Sequence, residues 1–219
     1  MKNGIWVIGD VHGEYDKLVQ LLDKLPKDAK VCFCGDLIDR GADSAKVIDL
    51  IIDNNYLSVL GNHEFMMLDA YDNILTEDYW LFNGGRATLE SYAFKEVYLS
   101  HYEFLRSLPL FLHFEFEGYK PLVVSHSYIH ADWVDKEYKY NTKFNKRILW
   151  LHMNDEKFFT RDKEIKNGIF NIFGHTPVPK PIVTDTYAMI DTGAYYVSNK
   201  QLGYLSAIHY PSLEVIRVF

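Results

Sequence analysis

Five short polar clusters, each placed directly after an apolar run, constrain this chain more than any other feature. They are Gly9-Asp10-Val11-His12-Gly13, Gly35-Asp36-Leu37-Ile38-Asp39-Arg40-Gly41, Gly61-Asn62-His63-Glu64, Ser125-His126 and Gly174-His175-Thr176. An apolar run that ends in a polar cluster reads as a buried strand leading into a tight turn. Strands of a parallel or mixed sheet that end together deliver such residues to one edge. The clusters supply Asp10, Asp36, Asn62, His12, His126 and His175 as candidate metal ligands, and leave His63, Asp39 and Arg40 over. Hard oxygen donors mixed with imidazoles suit two divalent ions bridged by one carboxylate, and such a pair hydrolyses phosphate esters.

Composition narrows the setting. With 219 residues, 48% of them hydrophobic, the chain can bury one sizeable core, so a single domain over 1–219 is expected. A net charge of −7 argues against a general basic surface for nucleic acid. A phosphate substrate would instead be drawn by local positive charge, which bound metals supply. The two cysteines lie in Val31-Cys32-Phe33-Cys34, two apart on one strand face, where a mutual disulfide does not fit. They read as small buried hydrophobes in a reducing compartment. The start Met1-Lys2-Asn3-Gly4-Ile5 lacks the pattern of a signal peptide, and no apolar run reaches the ~18 residues of a membrane span. A soluble cytoplasmic monomer, engaging neither nucleic acid nor membrane, is the expectation.

Hydrophobic spacing predicts the order strand–helix–strand–helix–strand over Ile5-Trp6-Val7-Ile8, Glu14 to Leu25, Lys30 to Cys34, Asp43 to Asn54 and Leu57 to Leu60. That order argues for right-handed α/β crossovers. Residues 62–108 read as helical, interrupted at Asn83-Gly84-Gly85 and ended by Pro109. Leu110 to Glu117 and Lys120 to Val124 read as a hairpin around Gly118. The stretch 127–168 has weak periodicity and reads as a lid or peripheral insertion. Phe170 to Phe173, Pro181 to Thr184, Tyr187 to Ile190, Leu202 to His209 and Leu213 to Val218 are further strands, which suggests a second sheet packed on the first.

The residue types imply a division of labour. Asp10 and His12 sit two apart at the first strand end, and the two oxygens of Asp36 can bridge two metals as one imidazole cannot. Asn62 offers a neutral carbonyl oxygen, and His126 and His175 complete the second site. His63, adjacent to Asn62, is placed for general-acid work on the leaving oxygen. Asp39 would orient it and favour its protonated form. Arg40 offers a planar fork for phosphate oxygens. Glu64 has two readings, a helix N-terminal acid or a purely structural carboxylate.

Taken together, the motifs G-D-x-H-G, G-D-x-x-D-R-G, G-N-H-E, a lone strand-end His and G-H-T resemble the calcineurin-like metallophosphoesterase superfamily. Within it, they resemble the phosphoprotein phosphatase branch and the bacterial serine/threonine phosphatases typified by the lambda-phage enzyme. Asn83-Gly84-Gly85, Pro177 with Lys180-Pro181, and Asp191-Thr192-Gly193-Ala194 add to the likeness. It spans nearly the whole chain except much of 127–168. The resemblance implies an α/β fold in which two mixed β-sheets are sandwiched between helices. It implies one metal on Asp10, His12 and Asp36, and a second on Asp36, Asn62, His126 and His175. It also implies one-step hydrolysis of phosphoserine or phosphothreonine by metal-bridging hydroxide. His63 protonates the leaving group, while Arg40, Asn62 and His63 contact substrate. Manganese is the expected ion, although this ligand set does not choose among Mn, Fe and Zn.

Two positions depart from the pattern. The branch carries Arg immediately before G-N-H-E, where this chain has Leu60. It carries a second Arg after a Trp in the insertion, where Ile148-Leu149-Trp150-Leu151-His152 offers His152. Leu before G-N-H is what symmetrical diadenosine tetraphosphate hydrolases show, and they share the Gly-Asp-Val-His-Gly opening but typically lack the Asp of Asp39-Arg40. Lys136, Lys139, Lys143, Lys146 and Arg147 are either replacement cations or a solvated surface. His130, in His130-Ala131-Asp132, is an alternative to His126; His126 is preferred because Leu122-Val123-Val124 runs straight into it. Three readings result: a phosphoprotein phosphatase acting on phosphoproteins or small phosphoesters, a dinucleotide polyphosphate hydrolase, and a non-catalytic scaffold that kept the fold.

Overall fold

The computed structural model describes residues 4–129, 148–152 and 168–219. The first apolar run is β1 (Ile5–Ile8), followed by α1 (Tyr15–Leu22), β2 (Val31–Phe33), α2 (Ser44–Asp53) and β3 (Leu57–Ser58). β1 pairs parallel with β2, and β2 with β3, the crossover arrangement expected from the order of elements. β9 (Leu205–Tyr210) returns antiparallel to β1, and β10 (Val215–Val218) antiparallel to β9, so the first sheet runs β10-β9-β1-β2-β3. The second sheet, β4-β5-β6-β8-β7, is also mixed. It contains β4 (Phe111–Phe114), β5 (Leu122–Ser125), β6 (Phe170–Phe173), β7 (Ile182–Val183) and β8 (Tyr187–Met189).

Alternation along β1 shows how the layers stack. Ile5 and Val7 enter a core shared with Cys32, Cys34, Leu122, Val124, Phe170 and Ile172, which fills the space between the sheets. Trp6 and Ile8 face the other way, into a core with Leu18 and Leu21 of α1, and Val47, Ile48 and Ile51 of α2. Each such side chain contributes about 1.5–3 kcal/mol by leaving water. The two cysteines are buried and free, in the position expected of small hydrophobes. On the outer face of the second sheet, Val123 packs with Ile129, Ile148 and Ile169.

The elements are shorter than the hydrophobic spacing predicts, for local reasons. After Leu22, Lys24 and Leu25 donate three residues back, to Leu21 and Leu22, and this tightening ends α1 before Pro26. β3 stops early because Leu60 donates to Pro109 rather than to the sheet. The helical stretch divides into α3 (Asn62–Asp72), a 3₁₀ turn (Ile74–Thr76), α4 (Glu77–Trp80), a wide turn (Leu81–Gly85), α5 (Arg86–Glu90) and α6 (Lys95–Ser107). The break at Gly84 matches the expected interruption and has φ 113°, a conformation that glycine adopts without a Cβ penalty. The break at Asn73 was not foreseen; its side chain accepts from Leu75 N and starts the new turn. The hairpin forms as expected, Phe111 opposite Ser125 through Phe114 opposite Leu122. His130 and the cations Lys136, Lys139, Lys143, Lys146 and Arg147 lie outside the described residues, as does most of the expected insertion.

Candidate active site

Backbone conformation aims the site. Among the described residues, five of the seven non-glycine positions with positive φ are His12 (50°), Asp36 (50°), Asp39 (71°), Arg40 (70°) and His175 (69°). Left-handed backbone at such residues costs of order 1–3 kcal/mol each and persists only where the surroundings enforce it. Here they do. Val11 N and His12 N both donate to Asp36 O (3.0 and 2.9 Å), and Gly41 N donates to His12 O (2.9 Å), tying the first two strand-end turns together. Glu64 ties in the third: its carboxylate accepts from Asp36 N (2.8 Å), Leu37 N (2.8 Å), Ile38 N (3.2 Å) and Gly61 N (2.8 Å). Glu64 is wholly buried and answers to both readings: it accepts from Gly61 N at the start of α3 and braces the second turn. Gly174 lets the last turn approach, since a Cβ there would overlap Asp10 Oδ1.

Asp36 is the hub. Its Oδ2 lies 3.6 Å from His12 Nε2 and 3.9 Å from His63 Nε2, and its Oδ1 lies 3.4 Å from His126 Nε2. Two groups of potential ligand atoms, each within 4.8 Å of one another, share it: His12, Asp36 and His63, and Asp36, His126 and His175. His126 donates Nδ1–H to the Cys34 carbonyl (2.9 Å), so its Nε2 carries a lone pair. That lone pair faces Asn62 Oδ1 at 2.7 Å and His175 Nδ1 at 3.1 Å. Asn62 Oδ1 and His175 Nδ1 are 3.2 Å apart. Lone pairs pressed together this closely beside a carboxylate make a cradle for a cation, so the residues fit a divalent metal. Asp10 joins from the other side, accepting from His175 N at 3.0 Å.

Electrostatics separate the four imidazoles. Burial pushes His12 and His126 down, and it drives His175 down to about 3. These three are held neutral, the form that ligates metal. Burial also opposes charge on His63, but Asp36 and the bonded Asp39 outweigh it, and its pKa is raised. Burial alone would raise Asp36, yet the histidines around it, charged His63 among them, hold it low and ionised. Asp10 is pushed well up by burial and by Asp191 and Asp36, and Asp191 is itself pushed up to about 7, chiefly by burial. A cation set between such carboxylates relieves both desolvation and mutual repulsion.

His63 is pinned from behind. Its Nδ1 meets Asp39 Oδ2 at 2.7 Å. Asp39 is fully buried and also accepts from Trp80 Nε1 (3.0 Å) and Thr88 Oγ1 (2.6 Å). Burial pushes Asp39 up and these hydrogen bonds oppose it; with three donors on its two oxygens, the carboxylate is the form that the site holds. At the front, Arg40 Nη2 lies 2.9 Å from His63 Nε2 and Nη1 lies 2.7 Å from His12 Nε2.

Comparison with known sequences agrees with this geometry. The sequence model of the calcineurin-like phosphoesterase family matches residues 4–205. The chain belongs to that family. Serine/threonine-protein phosphatase 1 of Salmonella typhimurium is 30% identical over 200 residues, covering 88% of this chain and 87% of that protein. The asymmetrical bis(5'-nucleosyl)-tetraphosphatase PrpE of Anoxybacillus flavithermus is 28% identical over 243 residues, covering 97% and 92%. A serine/threonine phosphatase structure from Saccharomyces cerevisiae, with similarity to human phosphatase PP5, superposes with TM-score 0.65 at 15% identity, covering 99% of this chain and 79% of that one. It supports the fold of two mixed sheets.

As a calcineurin-like phosphoesterase the protein is a hydrolase, of a family that uses divalent metals. The two departures from the phosphoprotein branch are also placed. Leu60 is buried, so no cation reaches the site from that position. His152 lies at the rim, its ring 4.5 Å from that of His175 and its Nδ1 3.4 Å from Thr176 Oγ1. Sequence reasoning missed Trp80 and Thr88, which carry no motif, and gave Asp191 no role although it stood in a quoted segment. No described helix is long and apolar enough to cross a membrane.

Proposed function

We propose that the protein is a two-metal phosphomonoesterase acting on phosphoserine and phosphothreonine. Asp10, His12 and Asp36 would hold one ion, and Asp36, Asn62, His126 and His175 the other, with manganese the expected metal. When bound, the ions supply an acidified water as nucleophile and neutralise charge on the transferring phosphoryl group. The chain's own residues do the rest. Asn62 and Arg40 meet phosphate oxygens. Arg40 Nη1 donates to His12 Nε2 in the free protein and Nη2 lies beside His63 Nε2, and an incoming phosphate gives its guanidinium a better acceptor. That leaves His63 Nε2 free to carry the proton that the departing alkoxide takes, while Asp39 keeps the ring oriented and stabilises its charge.

The observation that carries this reading is the pinned, raised-pKa His63 beside imidazoles pushed the other way. Alkyl esters of phosphate are poor leaving groups without an acid, and a positioned imidazolium is what such substrates need. The expected assay result is Mn²⁺-dependent turnover of a phosphoserine peptide and of an aryl phosphate. No turnover of the phosphoserine peptide above a His63→Asn control would reject the reading. That same assay addresses the scaffold alternative, against which all the expected ligands and the acid are present. A reducing, cytoplasmic setting fits the two buried free thiols.

A second reading, hydrolysis of dinucleoside tetraphosphates, is favoured by Leu60 and by the 97% coverage of the PrpE relative. The relative's name specifies asymmetrical cleavage, where the Leu60 pattern suggests symmetrical. Chromatography of diadenosine tetraphosphate digests decides between them: two ADP, or AMP with ATP, or no reaction.

A further inference from the structure

A cavity of about 510 Å³ opens beside Arg40, and hydrolysis itself makes no use of most of its wall. Phe82, Gly84, Arg86 and Tyr195 line it together with Arg40. The wide turn before α5 is pressed against Arg40, since Arg40 N donates to Gly84 O (3.2 Å) and a Cβ on Gly84 would come within 2.8 Å of Arg40 Cγ. The cavity thus shares Arg40 with the site, where the same residue's guanidinium lies beside His12 and His63. Phe82 is 88% exposed and Tyr195 40% exposed, so neither ring is spent on the core. Arg86 is exposed, and its side chain makes no hydrogen bond or ion pair among the described residues. Glu90 lines the cavity one turn further along α5 and does not pair with it.

We propose that this cavity binds the residues flanking the phosphorylated side chain of a peptide substrate, with Arg86 pairing to an acidic flanking side chain and Phe82 and Tyr195 covering apolar neighbours. The inference rests on the phosphoserine/phosphothreonine reading above. An extended peptide advances about 3.3–3.6 Å per residue, so a residue one or two positions from a phosphate held at Arg40 falls within the same cavity. Phe82 and Tyr195 come from separate segments and form no ring pair with each other, an arrangement suited to a crossing chain more than to one flat base. Exposed aromatic and arginine side chains at such a rim are the residue types that dominate recognition surfaces.

The test uses pairs of phosphoserine peptides with Asp or Lys at each position within two residues of the phosphate, assayed on Mn²⁺-loaded full-length protein. An exposed charge pair is worth a factor of roughly 2–5, so kcat/KM is expected to favour Asp by that amount at one or more positions. The preference shrinks in high salt and inverts in Arg86→Glu. The ratio is internal to each variant, so loss of folded protein cannot mimic it. Equal rates for Asp and Lys peptides, or an unchanged ratio in Arg86→Glu, overturn the subsite while the phosphatase reading stands. No turnover of any phosphopeptide, with turnover of a dinucleotide, overturns both.

Discussion

His63 and His126 are two buried imidazoles that reach toward the same carboxylate, and they are driven in opposite directions. His126 gives its Nδ1 proton to a backbone carbonyl and faces Asn62 and His175, so burial wins and it stays neutral. His63 gives its Nδ1 proton to a buried carboxylate, so charge wins. Near-equal burial with opposite outcomes shows that the group behind the ring, more than desolvation, assigns each histidine its role. On the proposed reading, one partner makes a ligand and the other makes an acid.

The largest effect that would break this contrast is at His63 itself. His63→Asn is expected to slow phosphoserine hydrolysis by roughly 10²–10⁴-fold and to spare aryl phosphates with good leaving groups in large part. Steady-state kinetics over a series of leaving groups checks this. Equal loss across the series would remove His63 from the acid role. His126→Ala should act through metal occupancy instead: metal analysis of the dialysed variant is expected to show ion missing, with turnover partly restored at high Mn²⁺. Restoration to the same degree in His63→Asn would erase the distinction between the two rings.

Smaller effects sharpen the contrast. Thr88→Val removes a donor from Asp39 and leaves that oxygen short of a partner, at a cost of about 1–3 kcal/mol in denaturant unfolding. Its kinetic loss should be larger for phosphoserine than for aryl phosphate, with partial rescue in Thr88→Ser. Asp39→Asn leaves Asp36, the first of the two carboxylates that raise His63, and removes the charge of the second. Activity that needs protonated His63 is present below its pKa and lost as pH rises through it. In the native protein that limb lies above the ordinary 6.5, and in Asp39→Asn it is expected to move to lower pH.

The candidate ligands were legible because each stands where a buried apolar run stops, at a turn that the sequence marks with glycine or a polar pair. What the sequence does not show is how they are held. The left-handed φ falls on the candidate residues His12, Asp36 and His175 themselves, as well as on the neighbouring Gly13 and Gly35. Trp80 and Thr88 reach Asp39 across 41 and 49 residues, a contact that hydrophobic spacing cannot encode. Glu64 looked like a helix-start acid and is one, but three of its four backbone donors come from the second strand-end turn. Residues 62–108 read as helical with an interruption only at Asn83-Gly84-Gly85, and the further break at Asn73 rests on an extended backbone there and on local bonds that Asn73 accepts from Leu75 N and Thr76 Oγ1.

Imidazole ¹⁵N shifts of the metal-free protein across pH 5–8 measure the division of labour most directly. His63 should remain doubly protonated beyond pH 6.5, while His12, His126 and His175 stay neutral with one nitrogen bare throughout. A neutral His63 at pH 6, or a charged His126 there, would contradict the assignment of one ring as proton donor and the others as metal holders.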